Sequence, residues 1–157
     1  MTNEEEKTDV LPGQDPRDRA GVCVGLDYGT KRIGVSVSDK EWKMAFPLEV
    51  VKNGPSKMER ESALNNIRSI CDSHDSNVIV MGESKDFKNK DNAIMEEVRG
   101  FKEYLEEEFG FEVVFEPEML STLQASRIQG EHDRIDASAA AIILQSYLDR
   151  IQFKNNI

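Results

Sequence analysis

At 157 residues, 38% of them hydrophobic and 32% charged, the chain has the size and composition of one globular domain rather than of a disordered or membrane-embedded protein. Its formal net charge of −10 excludes a protein that coats nucleic acid through a broad basic surface, while leaving room for a local basic site. The two cysteines, Cys23 and Cys71, are far apart and belong to no CxxC pair, which argues against zinc and disulfide frameworks.

Residues 1–20, "MTNEEEKTDVLPGQDPRDRA", are acidic, interrupted by Pro and Gly, and poor in apolar groups, so they read as a flexible tail before a single domain at 21–157. They carry no basic-then-apolar signal pattern, and no stretch of the chain reaches the ~18 to 20 apolar residues of a membrane span. The expected setting is therefore a reducing one, the cytoplasm, with no membrane partner.

Two short β-branched runs at 22–27 and 33–38, joined by a Gly-containing link, predict a hairpin, and a third run at 44–51 extends it into an antiparallel meander. Pro47 marks either an edge position or an interruption in the third run, because proline cannot donate to a ladder. Apolar spacings of three and four (Leu64, Ile67, Ile70, Cys71) predict a helix over 57–71. The continuous apolar run "NVIVMG" at 77–82 fits a strand covered on both faces. A polar loop, a second helix over 92–109, a strand at 111–116, a short helix at 122–129 and a final amphipathic helix over 136–153 complete the chain. Strands alternating with helices in the second half imply parallel crossovers added to the meander. The fold class is α/β, a mixed sheet with helices on both faces.

Three acidic positions stand out. Asp27 ends the first strand, where an Asp/Gly turn would also explain it. Glu116 and Glu118 flank Pro117 at the end of a later strand, where acids are commonly solvated. Asp136 is an N-cap if the last helix begins there. If the helix begins a residue or two earlier, Asp136 lies on the apolar stripe with Ala140, Ile143 and Tyr147 and points towards the sheet. Acids converging from a first strand, a later parallel strand and the last helix can share divalent cations, whose charge offsets the cost of clustering carboxylates. Hard oxygen ligands select Mg²⁺ or Mn²⁺, and two such ions suit phosphodiester hydrolysis.

"VGLDYGTKRIGVSVSD", "STLQAS" after an acidic strand end, and "IDASAAAIILQSYLD" together resemble the YqgF family, also called RuvX, over about residues 22–150. The names attached to that family are pre-16S rRNA nuclease and Holliday junction resolvase. The resemblance implies a ribonuclease H-like fold, a metal-dependent nuclease, and Asp27, Glu118 and Asp136 as catalytic metal ligands. It also implies nucleic-acid contacts from Lys31 and Arg32. The family segment D-E-R-L-[ST]-T stands here as "PEMLST", so Pro117 and Met119 replace an aspartate and an arginine, and Glu116 becomes an alternative middle acid. A family Gly-Leu-Pro is replaced by "GESKDFKNKDN", whose Lys85, Lys88 and Lys90 read as a solvated loop or a phosphate-touching flank. His74 and His132 read as surface residues, while Trp42 and Phe46 are expected to pack near the third strand.

The leading expectation is processing of the 5′ end of precursor 16S rRNA by a monomer or weak homodimer, with branched DNA as the alternative substrate. "DYGT" also fits the phosphate loop of actin-like ATPases, but those enclose their nucleotide between two domains. A nucleic-acid-binding module that has lost catalysis is the third alternative.

Overall fold

The structure, a computed structural model, describes residues 21–84, 92–118 and 132–155. The acidic tail, the Lys85–Lys90 loop and the helix expected at 122–129 lie outside the described residues. Five strands, β1 (Cys23–Asp27), β2 (Arg32–Ser38), β3 (Ala45–Lys52), β4 (Val78–Ser84) and β5 (Glu112–Glu118), form one sheet in the order β3-β2-β1-β4-β5. The β1–β2 and β2–β3 pairs are antiparallel, and β1–β4 and β4–β5 are parallel. The meander and the parallel additions are those the sequence predicts.

Both strand prolines fall on edges, Pro47 in β3 and Pro117 in β5, where a missing N–H costs no interior ladder bond. Beside Pro47 the β2–β3 register shifts at Val35/Ser36, a bulge that bends the edge.

Strand alternation sorts side chains to two faces. Val24, Leu26, Ile33, Val35, Ile79, Met81 and Val113 meet α1 (Lys57–Ser73) and α2 (Asn92–Glu107) in one core. Cys23, Val78 and Val80 meet Ile143, Leu144, Tyr147, Leu148 and Ile151 of α3 (His132–Asn155) in the other. The start of α1 is fixed by a capping box, in which the Ser56 hydroxyl accepts from the Glu59 N–H and the Glu59 carboxylate accepts from the Ser56 N–H. The Ser56 N–H and the Ser56 hydroxyl, both donating to its carboxylate, hold Glu59 below the ordinary carboxylate value.

Trp42 lies within the α3-side core at 1% exposure, in the cluster against which Ala45 of β3 packs, whereas Phe46 is exposed on β3. The His74 ring caps the end of α1, with Nδ1 3.0 Å from the Ile70 carbonyl oxygen. Among the described residues no helix is long and apolar enough to cross a membrane.

Cys23 and Cys71 are free and buried, and burial pushes both thiols up, Cys71 to about 12 and Cys23 further still. Neither supplies a thiolate nucleophile at neutral pH. Because folding raises both above the ordinary thiol value, their contribution to stability is complete below pH about 9. It declines as pH rises from there through the folded values. Native protein should therefore leave both thiols unlabelled by a disulfide reagent at pH 8 and release two only in denaturant. The urea midpoint should be lower at pH 10 than at pH 7. Rapid labelling of folded protein would contradict this burial.

Candidate active site at the β1–α3 junction

The junction depends on α3 coming unusually close to the sheet. At Gly25 an added Cβ would sit 2.8 Å from Leu144 Cβ and 3.0 Å from the Ala140 carbonyl oxygen. At Gly34 it would overlap the backbone carbonyl of Asp136. Two small helix residues, Ala137 and Ala140, are buried at this contact. Ser36 fixes it by donating a 2.8 Å hydrogen bond to the Ala140 carbonyl. The "DASAAA" run is thus the complement of two glycines in β1 and β2.

Gly34 is also the register partner of Asp27. Antiparallel partners have Cα atoms about 4.5–5.5 Å apart. The residue whose missing side chain admits Asp136 therefore stands directly beside Asp27, and two predicted site acids come to one corner of the sheet. Asp27 is 6% exposed at the tip of a central strand. α3 starts at His132, four residues ahead of Asp136, so Asp136 is within the first turns of the helix and is not its N-cap.

Arg32, expected to contact nucleic acid, donates from Nε to Asp136 Oδ2 at 3.2 Å. Its side chain is 34% exposed and that of Asp136 13%, so the guanidinium reaches inward from solvent to the acid. Lys31 is exposed in the preceding link. The link is held from behind by Asn53, whose N–H donates to the Lys31 carbonyl and whose Nδ2 donates to Gly29, both at 2.9 Å. Tyr28, next to Asp27, turns to the opposite face, where its hydroxyl donates to Glu97 at 2.8 Å and its ring meets Phe101 edge-on at 5.0 Å. Burial, with Glu97 adding, pushes the Tyr28 phenol up to about 12, so it remains a donor at working pH.

Glu116 accepts from the Ser146 hydroxyl at 2.8 Å and from the Arg150 guanidinium. Those partners stand ten and fourteen residues beyond Asp136, about 15 and 21 Å along the helix axis at 1.5 Å per residue. Glu116 therefore ties β5 to the far half of α3, a role the sequence did not signal. Glu118 is the last residue of β5, paired in register with Ser84 at the end of the sheet where β1 also terminates. Met119 and the rest of "MLST" lie outside the described residues. Among the described residues no group of three His, Cys, Asp or Glu side chains comes together as a metal site. Asp27 and Asp136 supply two hard oxygen donors with low exposure, a set that suits Mg²⁺ or Mn²⁺ and not a soft metal.

The mixed five-stranded sheet with a helix crossing onto its first strand defines the chain as ribonuclease H-like. T. thermophilus RuvC in complex with Holliday junction substrate shares this fold, with a TM-score of 0.53 at 21% identity, covering 83% of this chain and 94% of that one. Residues 21–150 match the family described as "RuvX: Holliday junction resolvase", and the chain belongs to that family. A Lactobacillus johnsonii relative named "Putative pre-16S rRNA nuclease" is 35% identical over 142 residues, 84% of this chain and 98% of the relative. A relative of the same name from Geobacillus sp. (strain WCH70) is 36% identical over 137 residues, 82% and 98% of the two chains.

Two substitutions separate the roles. Gly34→Ala should push the head of α3 off β2 at a cost of about 1–3 kcal/mol, read as a lower urea midpoint. Glu116→Gln should also destabilise by about 1–3 kcal/mol, the partial exposure of Arg150 keeping it from the larger values of a fully buried pair. A Glu116→Gln protein as stable as wild type would show that the tie to α3 carries nothing.

Proposed function

We propose that the chain is a divalent-metal-dependent nuclease that hydrolyses phosphodiester bonds, acting at the 5′ end of precursor 16S rRNA. The observation that carries this reading is the close approach of the Asp136 backbone to Gly34, the register partner of Asp27. The names of the relatives point to the same class and substrate.

In this reading Asp27, Asp136 and Glu118 hold Mg²⁺ or Mn²⁺, two ions in all. When bound, such ions supply Lewis-acid activation of water and stabilisation of the leaving oxygen. The protein's own residues prepare the site. The Gly34 contact fixes the spacing of Asp27 and Asp136 before substrate arrives, which is the preorganisation that positional catalysis needs. Arg32 neutralises Asp136 and, standing partly in solvent, is placed to take a substrate phosphate, a task its planar fork suits. Lys31 adds an exposed charge for the backbone. Glu118 is favoured over Glu116 as the middle acid because Glu116 is already engaged by Ser146 and Arg150.

The description of the family as a Holliday junction resolvase makes branched DNA the second substrate to test. The experiment is cleavage of a precursor 16S rRNA fragment and a four-way DNA junction, side by side, with Mn²⁺ or EDTA. Wild type should cut the rRNA only with metal, and Asp27→Asn, Asp136→Asn and Glu118→Gln should each lose about 10²-fold or more, as expected when a group acting in the transition state is removed. Glu116→Gln, assayed at equal folded concentration, should keep its rate. Preference for the junction would reassign the substrate, and folded wild type that binds RNA without cutting either would establish the binding module instead.

A further inference from the structure

Arg32 and Lys52 are register partners across β2 and β3. Beside them the Asn53 N–H donates to the Lys31 carbonyl at 2.9 Å, a bond that brackets a pair whose own backbone groups point away from each other. Arg32 and Lys52 are therefore a non-hydrogen-bonded antiparallel pair, the kind with Cα atoms about 4.5 Å apart and the closer side chains. Partners share a face of the sheet, and Arg32 reaches Asp136 of α3, so Lys52 rises on the α3 side as well. Glu49 pairs with the core residue Val35 and lies on the opposite face.

This pairing is unfavourable for the protein alone. Like charges directly opposite one another destabilise a sheet, and inside the protein a single member of the pair is offset. Arg32 donates to Asp136, whereas Lys52 is exposed and has no ion pair among the described residues. Lys31, exposed one position before Arg32, adds a third cation to the same rim. The acids that face this rim, Asp27 and Asp136, are both of low exposure and are committed to divalent cations in the nuclease reading. With them taken, the rim is basic in a chain of net charge −10.

Edge strands often carry lysine to discourage pairing with another chain. That purpose is served anywhere along β3, whose middle Pro47 and the adjacent bulge already block. What is particular to Lys52 is its place opposite Arg32, in a register that Asn53 holds from both sides by bonding Lys31 through its backbone and Gly29 through its side chain.

We propose that Lys52 is a substrate-binding residue, which with Arg32 clamps a backbone phosphate flanking the scissile one. Two strand spacings of ~4.8 Å and two residues of ~3.3 Å put its Cα about 12 Å from that of Asp27, over a neighbouring phosphate rather than the reacting one. The ligand is the phosphodiester backbone of a nucleic acid, held without regard to base. This inference rests on the nuclease reading and adds to it a contact outside the reacting centre.

The test is fluorescence anisotropy of a labelled precursor 16S rRNA fragment with the full chain in EDTA, at several salt concentrations, followed by cleavage kinetics with Mn²⁺. Lys52→Gln should weaken binding about 5-fold or more, the worth of one charge-assisted contact, and lower the salt slope by about 0.7 to 0.9. Lys52→Arg should restore both. Lys40→Gln makes the same charge change in the link at the other end of β3 and should cost under about 2-fold, the long-range share that salt screens. In cleavage, Lys52→Gln should raise KM and leave kcat unchanged, the signature of binding common to ground and transition states. Relief of the like-charge pair should also leave its urea midpoint at or above that of wild type in low salt. Equal losses from Lys52→Gln and Lys40→Gln, an unchanged salt slope, a fall in kcat at constant KM or a lowered midpoint would each overturn the clamp. If wild type cuts RNA, Asp27→Asn does not, and Lys52→Gln binds and cuts as wild type does, this inference alone fails. If wild type neither binds nor cuts the rRNA fragment or a four-way DNA junction, the nuclease reading fails and the clamp with it.

Discussion

The contact on which the rest of this molecule depends is the close seating of α3 on β1 and β2. It is made by absence. Gly25 and Gly34 present bare backbone, the alanines of "DASAAA" present almost nothing, and Ser36 fastens the two with a single buried hydrogen bond. Interiors of this density gain many small dispersion contacts and tolerate little added volume. The same contact sets the spacing of two acids separated by 109 positions in sequence, because the residue that makes room for Asp136 is the register partner of Asp27. Fold stability and site geometry are here one interaction.

Charge is distributed along α3 in a way that divides its labour. At the head, Arg32 meets Asp136 with one face in water, and at the far half Arg150 and Ser146 meet a nearly buried Glu116. The second arrangement is a structural tie. An acid at 5% side-chain exposure whose oxygens are both engaged has little reason to leave, whereas an arginine one-third exposed can exchange partners cheaply. The helix is thus pinned at one end by a committed pair and at the other by an exchangeable one.

Much of the fold was legible from local pattern. Strand alternation, the continuous run of β4 and the helical spacing of α1 and α2 are written within a few residues of one another, and Pro47 announced an edge or an interruption through chemistry it carries everywhere. Asp27 could be found because a carboxylate at the tip of a buried run is locally incongruous. What escaped was long-range. Nothing near Glu116 foretells Ser146 and Arg150, some thirty residues later, and nothing near Arg32 foretells Asp136. The signal for the β1–α3 seat was present, two glycines in adjacent strands and a small-residue run in a helix, but its meaning appears only when both sides are in place. Trp42 packs near the third strand, as expected, but the depth of its burial was not written locally. It turns inward through a left-handed backbone, φ 58°, which a bulky residue adopts only when its surroundings repay the strain.

That inward turn has an optical consequence. Trp42 is the chain's single tryptophan, and it sits in the core beneath α3, its indole N–H donating to the Gly21 carbonyl and its own carbonyl accepting from Gln152 near the end of that helix. Tryptophan emission from this protein therefore has one source, located against the element that delivers Asp136. The colour of that emission reports whether the helix is docked or has let water into the seam, so the molecule carries its own fluorophore for watching its candidate active site assemble.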